Sequence, residues 1–408
     1  MRLKNLLNRI GWPSFLYLFL IILIFISYSC YPPCYRVRLR PQDALRKVRF
    51  FLPTFKDDMD LKSLICALRK NIKYLQRLSP DTSFIYGKDR YKVDEIIKGQ
   101  EMLLKYLKDR GGEDLDKFIK EHFNIYMAKG VEESGRVLFT GYFEPIYKGS
   151  LFKDQIYRYP IYTTPEDLIK VDLSQFDPSL KGKRIVGRLK GKELIPYFTR
   201  YDIDVKRILG GRGYELLYLK DPLDVFFLHI QGSGRIVLPD GRAVHVGYAS
   251  TNGRPYRSIG RYLVEKGCMD IEQVSMQSIR KFLNTHPELM DEVLNFNPSY
   301  VFFRIVKEGP LGNLGIPLTA MRSIALDQSL FPKAALCFVR CIRPVIGSEG
   351  GISKWEPFSG FMLVQDSGGA IRGPGRADIF WGSGRYAELA SGHLRYRGRL
   401  YLLAKKKD

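Results

Sequence analysis

The sequence predicts a mainly β protein with added helices, arranged as a barrel or a sandwich. From residue 137 onward, short segments rich in β-branched and aromatic residues are separated by turn signals. Before that point, residues 58–127 carry apolar residues at helical spacing. The regular alternation of strand and helix that marks a doubly wound fold is absent from the pattern. Together these observations favour a β-barrel or β-sandwich over a parallel α/β sheet.

Length and composition narrow the class of protein. The chain has 408 residues, of which 45% are hydrophobic, so two domains with sizeable cores are expected. This composition excludes the disordered, collagenous and disulfide-dense classes. The chain has 65 Lys and Arg residues against 43 Asp and Glu residues, a net charge of +22. That charge favours an acidic partner: nucleic acid, an anionic membrane surface or an acidic polymer.

The N-terminus has the pattern of an export signal. Residues 15–26 are apolar and follow a basic start. This run is short for a membrane span, which needs about 20 residues, and is typical of a signal-peptide core. Cys30 follows a small residue, as at a lipoprotein cleavage site, so we expect lipidation of Cys30 and a short tether beyond it. An uncleaved anchor and a buried helix of a globular core are the alternatives.

Helices are predicted mainly before residue 130. Apolar residues at intervals of three and four from Leu61 to Leu75 predict the first helix. Two more are predicted at 93–108 and 115–128, with Asp114 as the N-cap of the second. A further helical segment is predicted at 258–296.

Strands are predicted from short β-rich runs bounded by turn residues. They cover residues 137–143, 216–219, 225–230, 235–238, 244–248, 300–305, 336–345, 360–365, 377–381 and 400–403. The glycine-rich segment 347–351 is the best candidate for a mobile loop.

No metal or nucleic-acid signature is found. The five histidines lie at no metal-ligand spacing, and the C-x₃-C pair at 337–341 is weak evidence for a disulfide or a metal. Nucleophile elbows, phosphate loops and nucleic-acid-binding motifs are absent. We therefore expect no metal site and no nucleic-acid partner. Ordinary buried thiols are predicted for Cys66, Cys268, Cys337 and Cys341.

The remaining candidates are carboxylates on turns. An apolar strand is predicted to end at Asp366, and Gly368 and Gly369 then allow a ligand to approach the backbone. A carboxyl in partly apolar surroundings can have a raised pKa and serve as a general acid. Asp378 begins a second apolar strand, whose aromatics at 380 and 381 could stack on sugar rings. The alternative reading is that Asp366 caps a turn and that both aromatics belong to the core.

Several stretches resemble the MltA family of lytic murein transglycosylases, and they are spread over residues 136–403. They read LFTGYFEP at 138–145, YPIY at 159–162, FFLHIQGSGR at 226–235, VGY at 246–248, NGRPY at 252–256 and NPSYVFF at 297–303. The stretch 366–382 resembles the family's 3D module, named for three aspartates that correspond to Asp327, Asp366 and Asp378.

The resemblance implies a double-psi β-barrel domain with a second, inserted β-domain and a glycan-binding groove between them. The implied division is a signal at 1–30, an N-terminal part of the barrel with helices at 31–145, the inserted β-domain at 146–296 and the C-terminal part of the barrel at 297–404. Many relatives have Pro-x-Gly after the first aspartate, whereas this chain has Pro-Lys-Ala at 332–334. The resemblance therefore does not predict the geometry of the turn near Asp327.

The resemblance also implies a peptidoglycan lytic exotransglycosylase, a lyase that uses no cofactor. It cleaves between N-acetylmuramic acid and N-acetylglucosamine and leaves 1,6-anhydromuramic ends, with Asp366 as the acid/base and Asp378 and Asp327 as supports. The residues themselves leave endo and exo cleavage open. Substrate contacts are implied for Thr140, Gly141, Tyr142, Gln231, Gly232, Ser233, Gly234, Gly368 and Gly369. The alternatives are a plain tight turn at 231–234 and a turn residue without a catalytic role for Asp327.

The expected partners are peptidoglycan strands and a membrane, with the protein at the periplasmic face of the outer membrane as a lipoprotein. A hydrolase and a non-catalytic wall-binding protein are the alternative functions. Protein partners and oligomeric state cannot be read from the sequence.

Overall fold

The computed structural model describes residues 39–407, so the predicted leader and Cys30 lie outside the described residues. The α-helices are α1 Pro41–Ala44, α2 Leu61–Leu75, α3 Val93–Arg110, α4 Leu115–His122, α5 Arg200–Asp204, α6 Pro222–Gln231, α7 Ile259–Glu265, α8 Met276–Thr285, α9 Met290–Phe296 and α10 Arg385–His393. The strands are β1 Leu45–Val48, β2 Ser83–Tyr86, β3 Asp89–Lys92, β4 Phe123–Ala128, β5 Val137–Glu144, β6 Ile146–Ser150, β7 Tyr159–Tyr162, β8 Ile169–Asp172, β9 Arg184–Lys190, β10 Glu193–Pro196, β11 Glu215–Leu219, β12 Ser233–Val237, β13 Ala243–Thr251, β14 Val301–Val306, β15 Ser323–Ala325, β16 Leu336–Ile346, β17 Ile352–Asp366, β18 Arg376–Ser383 and β19 Tyr396–Lys405.

Six strands close into a barrel. Their order is β19, β16, β17, β15, β18 and β5, and β5 pairs back to β19. The pairs β15–β17 and β18–β5 are parallel, and the other four are antiparallel. Alternate residues face the interior, as with Val137 and Phe139 on β5, which are fully buried. The predicted mainly β fold with a barrel and added helices is confirmed.

A second β-region lies in the chain between β5 and β15. Six of its strands form one sheet in the order β14, β13, β12, β6, β11 and β7, and β8–β10 form a smaller sheet. Helices α7–α9 follow, as predicted for 258–296. The division of the chain into domains stays a proposal; the strand Val301–Val306, beyond the expected boundary at 297, pairs with the second sheet.

Helices α2 and α3 cover one outer wall of the barrel. Their apolar faces pack, through residues such as Leu64 and Leu103, against outward-facing Phe338 and Phe361. Beside them the fully buried Arg322 lies 2.6 Å from an Asp57 carboxylate oxygen. Because its guanidinium also donates to backbone carbonyls, this buried charge is well compensated.

Two predicted elements are wrong. Residues 225–230, predicted as a strand, lie in helix α6, because the Asp221 side chain caps its start and Gly232 ends it with a φ of 74°. Residues 115–128, predicted as one helix, form α4 and then β4, because β4 pairs with both β1 and β19. Asp114 precedes α4 with a φ of 52° and makes no capping bond.

The thiol prediction holds for two of the four cysteines. Cys337 and Cys341 are buried in the barrel, and burial raises the pKa of the Cys341 thiol to about 12. Cys66 and Cys268 are exposed, so the prediction is wrong for them. Residues 347–351 form the turn of the β16–β17 hairpin, and their mobility stays a prediction.

Candidate active site

Asp366 is the last residue of β17 and its carboxyl is half-buried. The Tyr142 hydroxyl donates to Oδ2 over 2.8 Å. The backbone N–H groups of Asn313 and Ser367 donate to Oδ1 over 2.8 and 2.9 Å. Since these donors come from three separate segments, the carboxyl is fixed in position.

Burial raises the pKa of the Asp366 carboxyl above its usual value. The three hydrogen bonds oppose this rise, because they favour the ionised form. The net rise makes the group a better proton donor near neutral pH than an ordinary aspartate.

Asp378 lies on β18, which is separated from the Asp366 strand β17 by β15. In β15, Ala325 pairs with Asp366 on one side and with Asp378 on the other. The two carboxylate residues are therefore two strand spacings apart, about 10 Å between backbones. The Thr140 hydroxyl donates to Asp378 Oδ1 over 2.5 Å.

The charge state of Asp378 depends on its neighbours. Burial raises its pKa to about 6, and the nearby Asp366 adds to the rise. The Thr140 hydroxyl and the Arg376 guanidinium lower it. Arg376 also donates to the Thr140 hydroxyl over 3.3 Å, so Thr140 links Arg376 to Asp378.

Asp327 is buried and binds its own turn. Its Oδ1 accepts from the Ser329 N–H and hydroxyl, and its Oδ2 accepts from the Gly373 N–H over 2.8 Å. It therefore fastens the loop that follows Asp366. No hydrogen bond joins Asp327 to Asp366 or Asp378 among the described residues.

The predicted glycines differ in their surroundings. A Cβ on Gly141 would lie 2.5 Å from Trp381 Nε1 and 2.8 Å from Ser391 Cα, so this position is set by packing against α10. Gly369 is exposed, and a Cβ there would meet open space. Gly368 would contact only the Ile371 side chain. Phe380 and Trp381 are both buried, as the core reading expects.

Comparisons with known proteins agree with this geometry. The MltA specific insert domain matches residues 138–304, and the 3D domain matches residues 322–404. Membrane-bound lytic murein transglycosylase A of Vibrio cholerae is 31% identical over 286 residues, which cover 69% of each chain. The chain belongs to the MltA family.

Solved structures extend the similarity to the fold. The membrane-bound lytic murein transglycosylase from Agrobacterium tumefaciens superposes with a TM-score of 0.72 at 30% identity, covering 89% of this chain and 98% of that one. Escherichia coli MltA with bound chitohexaose gives 0.65 at 25% identity, covering 90% and 98%. The barrel and the second β-region are thus those of the MltA fold.

The MltA motif at 226–235 spans the end of α6 and the start of β12. The side chain of Gln231 accepts from the Phe143 N–H over 3.2 Å, and its amide nitrogen lies 3.3 Å from Met276 Sδ. Gly232 caps α6 and Ser233 is buried. A Cβ on Gly234 would clash with Leu228. Gln231 of this motif therefore contacts Phe143, the residue that follows Tyr142, but the polar groups of the motif bond largely within the protein.

Sequence reasoning missed three groups at this MltA-type site. The Asn313 N–H carries no side-chain signal, and Arg376 was not singled out. Glu144, at the end of β5, is buried and accepts from Arg235 over 3.3 Å, and its carboxylate lies 2.9 Å from His245 Nδ1. This cluster joins the barrel strand to the second sheet. Glu144 and Arg235 each fall in one of the quoted motifs, and this could have indicated their pairing.

Two features are absent from residues 39–407. No helix in this part of the chain is long and apolar enough to cross a membrane. No group of three or more His, Cys, Asp or Glu side chains there is placed to hold a metal ion.

Proposed function

We propose that this chain cleaves the β-1,4 bond between N-acetylmuramic acid and N-acetylglucosamine in peptidoglycan and leaves 1,6-anhydromuramic ends. The observation that carries the proposal is the Asp366 carboxyl, half-buried at a strand end, with its pKa raised by burial. Membership of the MltA family supports the same reaction.

Asp366 is the single acid/base in this proposal. It first protonates the glycosidic oxygen, and then accepts the proton of the muramic C6 hydroxyl, which attacks C1. Because the sugar supplies its own nucleophile, positioning replaces the activation of water. One carboxyl then suffices, whereas ordinary glycosidases need two. The Tyr142 hydroxyl and two backbone N–H groups hold that carboxyl in one orientation.

Asp378 and Asp327 support Asp366 in different ways in this proposal. Asp378 orients the Thr140 hydroxyl and, when ionised, raises the pKa of Asp366 by charge repulsion. Asp327 fastens the loop beyond Asp366 through the Gly373 N–H. Neither group touches the reacting atoms in this scheme.

The substrate contacts are proposed on both sides of the carboxyl. Thr140 and Tyr142 lie beside Asp378 and Asp366, and the backbone of half-buried Gly368 and exposed Gly369 offers N–H and C=O groups to a glycan. From the second β-region, the turn between α6 and β12 forms the opposite side, with Gln231, Gly232, Ser233 and Gly234. Gly141 contributes by allowing Trp381 to pack behind this surface.

The proposed location is the periplasmic face of the outer membrane, with the chain anchored by a lipid on Cys30. The export signal of the sequence and the murein substrate support it. Replacing Cys30 with Ala should release the protein from the membrane fraction. If the variant keeps its mass and stays bound, the apolar segment is the anchor.

A specific observation favours a hydrolase as the second candidate. Asp378 supplies a second carboxyl with a raised pKa, and hydrolases use a carboxyl pair. The two reactions differ in product mass, because an anhydro product lacks one water relative to a hydrolysis product.

The test is mass spectrometry of murein sacculi digested with the purified chain. We expect anhydromuropeptides, and reducing-end muropeptides as the main product would support the hydrolase. Asp366→Asn should lower kcat by about 10³–10⁴-fold, because the acid/base is lost. The matched control is Asp240→Asn on an exposed turn of the second sheet, which should keep full activity. Substantial residual activity in Asp366→Asn, with the correct product, would refute the residue assignment alone.

A further inference from the structure

A row of arginines extends from the Thr140–Asp378 pair along the outside of the barrel. On β5, Val137 and Phe139 face the core, so Leu138 and Thr140 face outward. Leu138 pairs with Arg376 on one side and with Arg397 on the other. Paired residues project from the same face of a sheet. The two guanidinium groups therefore lie on the face that carries Thr140.

The row continues into a hollow at the start of β5. Arg136 immediately precedes β5, and Arg399 lies two residues beyond Arg397 on the same face of β19. Arg340 of β16 pairs directly with Arg399. These residues line a hollow of about 330 Å³ together with Arg397. The arginine row is thus Arg376, Arg397, Arg136, Arg399 and Arg340.

No ion pair neutralises the arginine row within the described residues, although the Arg376 guanidinium lies near enough to Asp378 to lower the pKa of that carboxyl. No carboxylate among the side chains that the structure describes lies within 4.0 Å of a guanidinium nitrogen of the row. Asp58 also lines the hollow, but its carboxylate accepts from the Ser359 N–H and hydroxyl and from Lys56. Arg376 Nε is shielded from solvent and has no partner. Like charges directly opposite one another, as in Arg340 and Arg399, destabilise a sheet.

We propose that the arginine row is a subsite for the carboxylates of the peptide stems that murein strands carry. The inference rests on the proposed function, and it extends the proposed site to a region that binds the acidic groups of the substrate. Guanidinium groups form paired hydrogen bonds with carboxylates, so a row of arginines across neighbouring strands can bind several carboxylates. Arg136 is four residues from Thr140, or about 13 Å, so a stem beside the cleaved bond lies within reach.

The proposal predicts a preference for strands that carry peptides. The test compares kcat/KM on peptide-bearing murein strands and on the same strands stripped of peptides by an amidase. In the full-length wild-type chain the ratio of the two should exceed one, and it should fall as salt is added, because salt screens exposed charges.

The variant Arg340→Gln/Arg399→Gln should lower this ratio about ten-fold, chiefly through KM. The matched control, Arg184→Gln/Arg242→Gln, removes two exposed arginines of the second β-region and should keep the wild-type ratio. If the double variant does not fold, Arg397→Gln serves instead, with an expected loss of about three-fold.

A wild-type ratio near one, an unchanged ratio in the variant, or an equal loss in the control would overturn the inference. If the wild-type chain cleaves neither kind of strand, the proposed function itself fails. The two failures are therefore distinguishable.

Discussion

The two sides of the proposed site are built differently. On the barrel side, the hydroxyls of Tyr142 and Thr140 donate hydrogen bonds to Asp366 and Asp378 respectively. Burial raises the pKa of both carboxyls. On the side of the second sheet, Gln231 bonds a backbone N–H and Gly232 caps a helix. The barrel side thus holds groups in a state suited to proton transfer, whereas the other side chiefly maintains its own turn.

This difference shows that the two sequence motifs have different roles. The stretch 138–145 places outward-facing polar groups beside Asp366 and Asp378. The stretch 226–235 instead connects α6 to β12 and brings the second sheet against β5. A short polar and glycine-rich motif can serve chemistry or geometry, and only the contacts decide which.

Among the groups around Asp366, the largest loss of activity is expected from Tyr142→Phe on the barrel side. The variant removes the donor to Asp366 Oδ2, and a hydrogen bond to a charged group is worth roughly 1.5–3 kcal/mol. We expect kcat to fall about 10–100-fold and the pKa seen in the pH–rate profile to rise, since the lost bond favoured the ionised form. Tyr201→Phe, at an exposed tyrosine, is the control. An unshifted pH–rate profile in a folded variant would show that the Tyr142 hydroxyl does not influence the pKa of Asp366.

An intermediate effect is expected from Asp378→Asn, and it depends on pH. The pKa of Asp378 is about 6 in the folded chain against 3.8 as the reference value. Between these values the folded state keeps a proton that the unfolded state has lost, so wild-type stability falls as the pH rises through this window. The variant has no such loss and should gain roughly 1–3 kcal/mol above pH 6.

Melting temperatures of wild type and Asp378→Asn at pH 4 and pH 7.5 check this expectation, with the larger difference at pH 7.5. Its activity should fall less than that of Asp366→Asn. An equal difference at both pH values would mean that folding does not raise the pKa of Asp378.

The smallest effect is expected from Gln231→Ala on the other side. Its loss leaves the Phe143 N–H without a partner, at a cost of roughly 0.5–1.5 kcal/mol in the free energy of unfolding. Glycan affinity should weaken about 2–12-fold if Gln231 also binds substrate. Gln175→Ala, at an exposed position, is the control. An unchanged dissociation constant for glycan oligomers, with a normal melting temperature, would remove Gln231 from the site.

Much of the barrel could be predicted from the sequence, because its strands have distinct patterns. The runs at 336–345 and 400–403 fall within β16 and β19, and Asp366 was placed correctly at a strand end. The apolar run at 225–230 was ambiguous, since a short buried helix and a short buried strand share the same composition. Capping by Asp221 and Gly232 decided it.

The rest of the site depends on register and backbone groups. Nothing in the residue type of Asn313 tells that its N–H holds Asp366. Similarly, the pairing of Arg340 with Arg399 follows from strand alignment and not from sequence spacing. The residue pattern picked out Asp366 and Asp378 and the resemblance added Asp327, but only the paired strands reveal which of them are neighbours.

The bond between Thr140 and Asp378 joins positions 238 residues apart. A chain made at about 5–20 residues per second must therefore wait on the order of ten to fifty seconds after β5 leaves the ribosome before β18 exists. Throughout that interval the barrel cannot close, because β5 has neither β18 nor β19 beside it. A product truncated before residue 366 lacks the proposed acid altogether. Under the proposed assignment of Asp366, synthesis order thus keeps every unfinished copy inactive, and activity arises only when the last part of the chain is made.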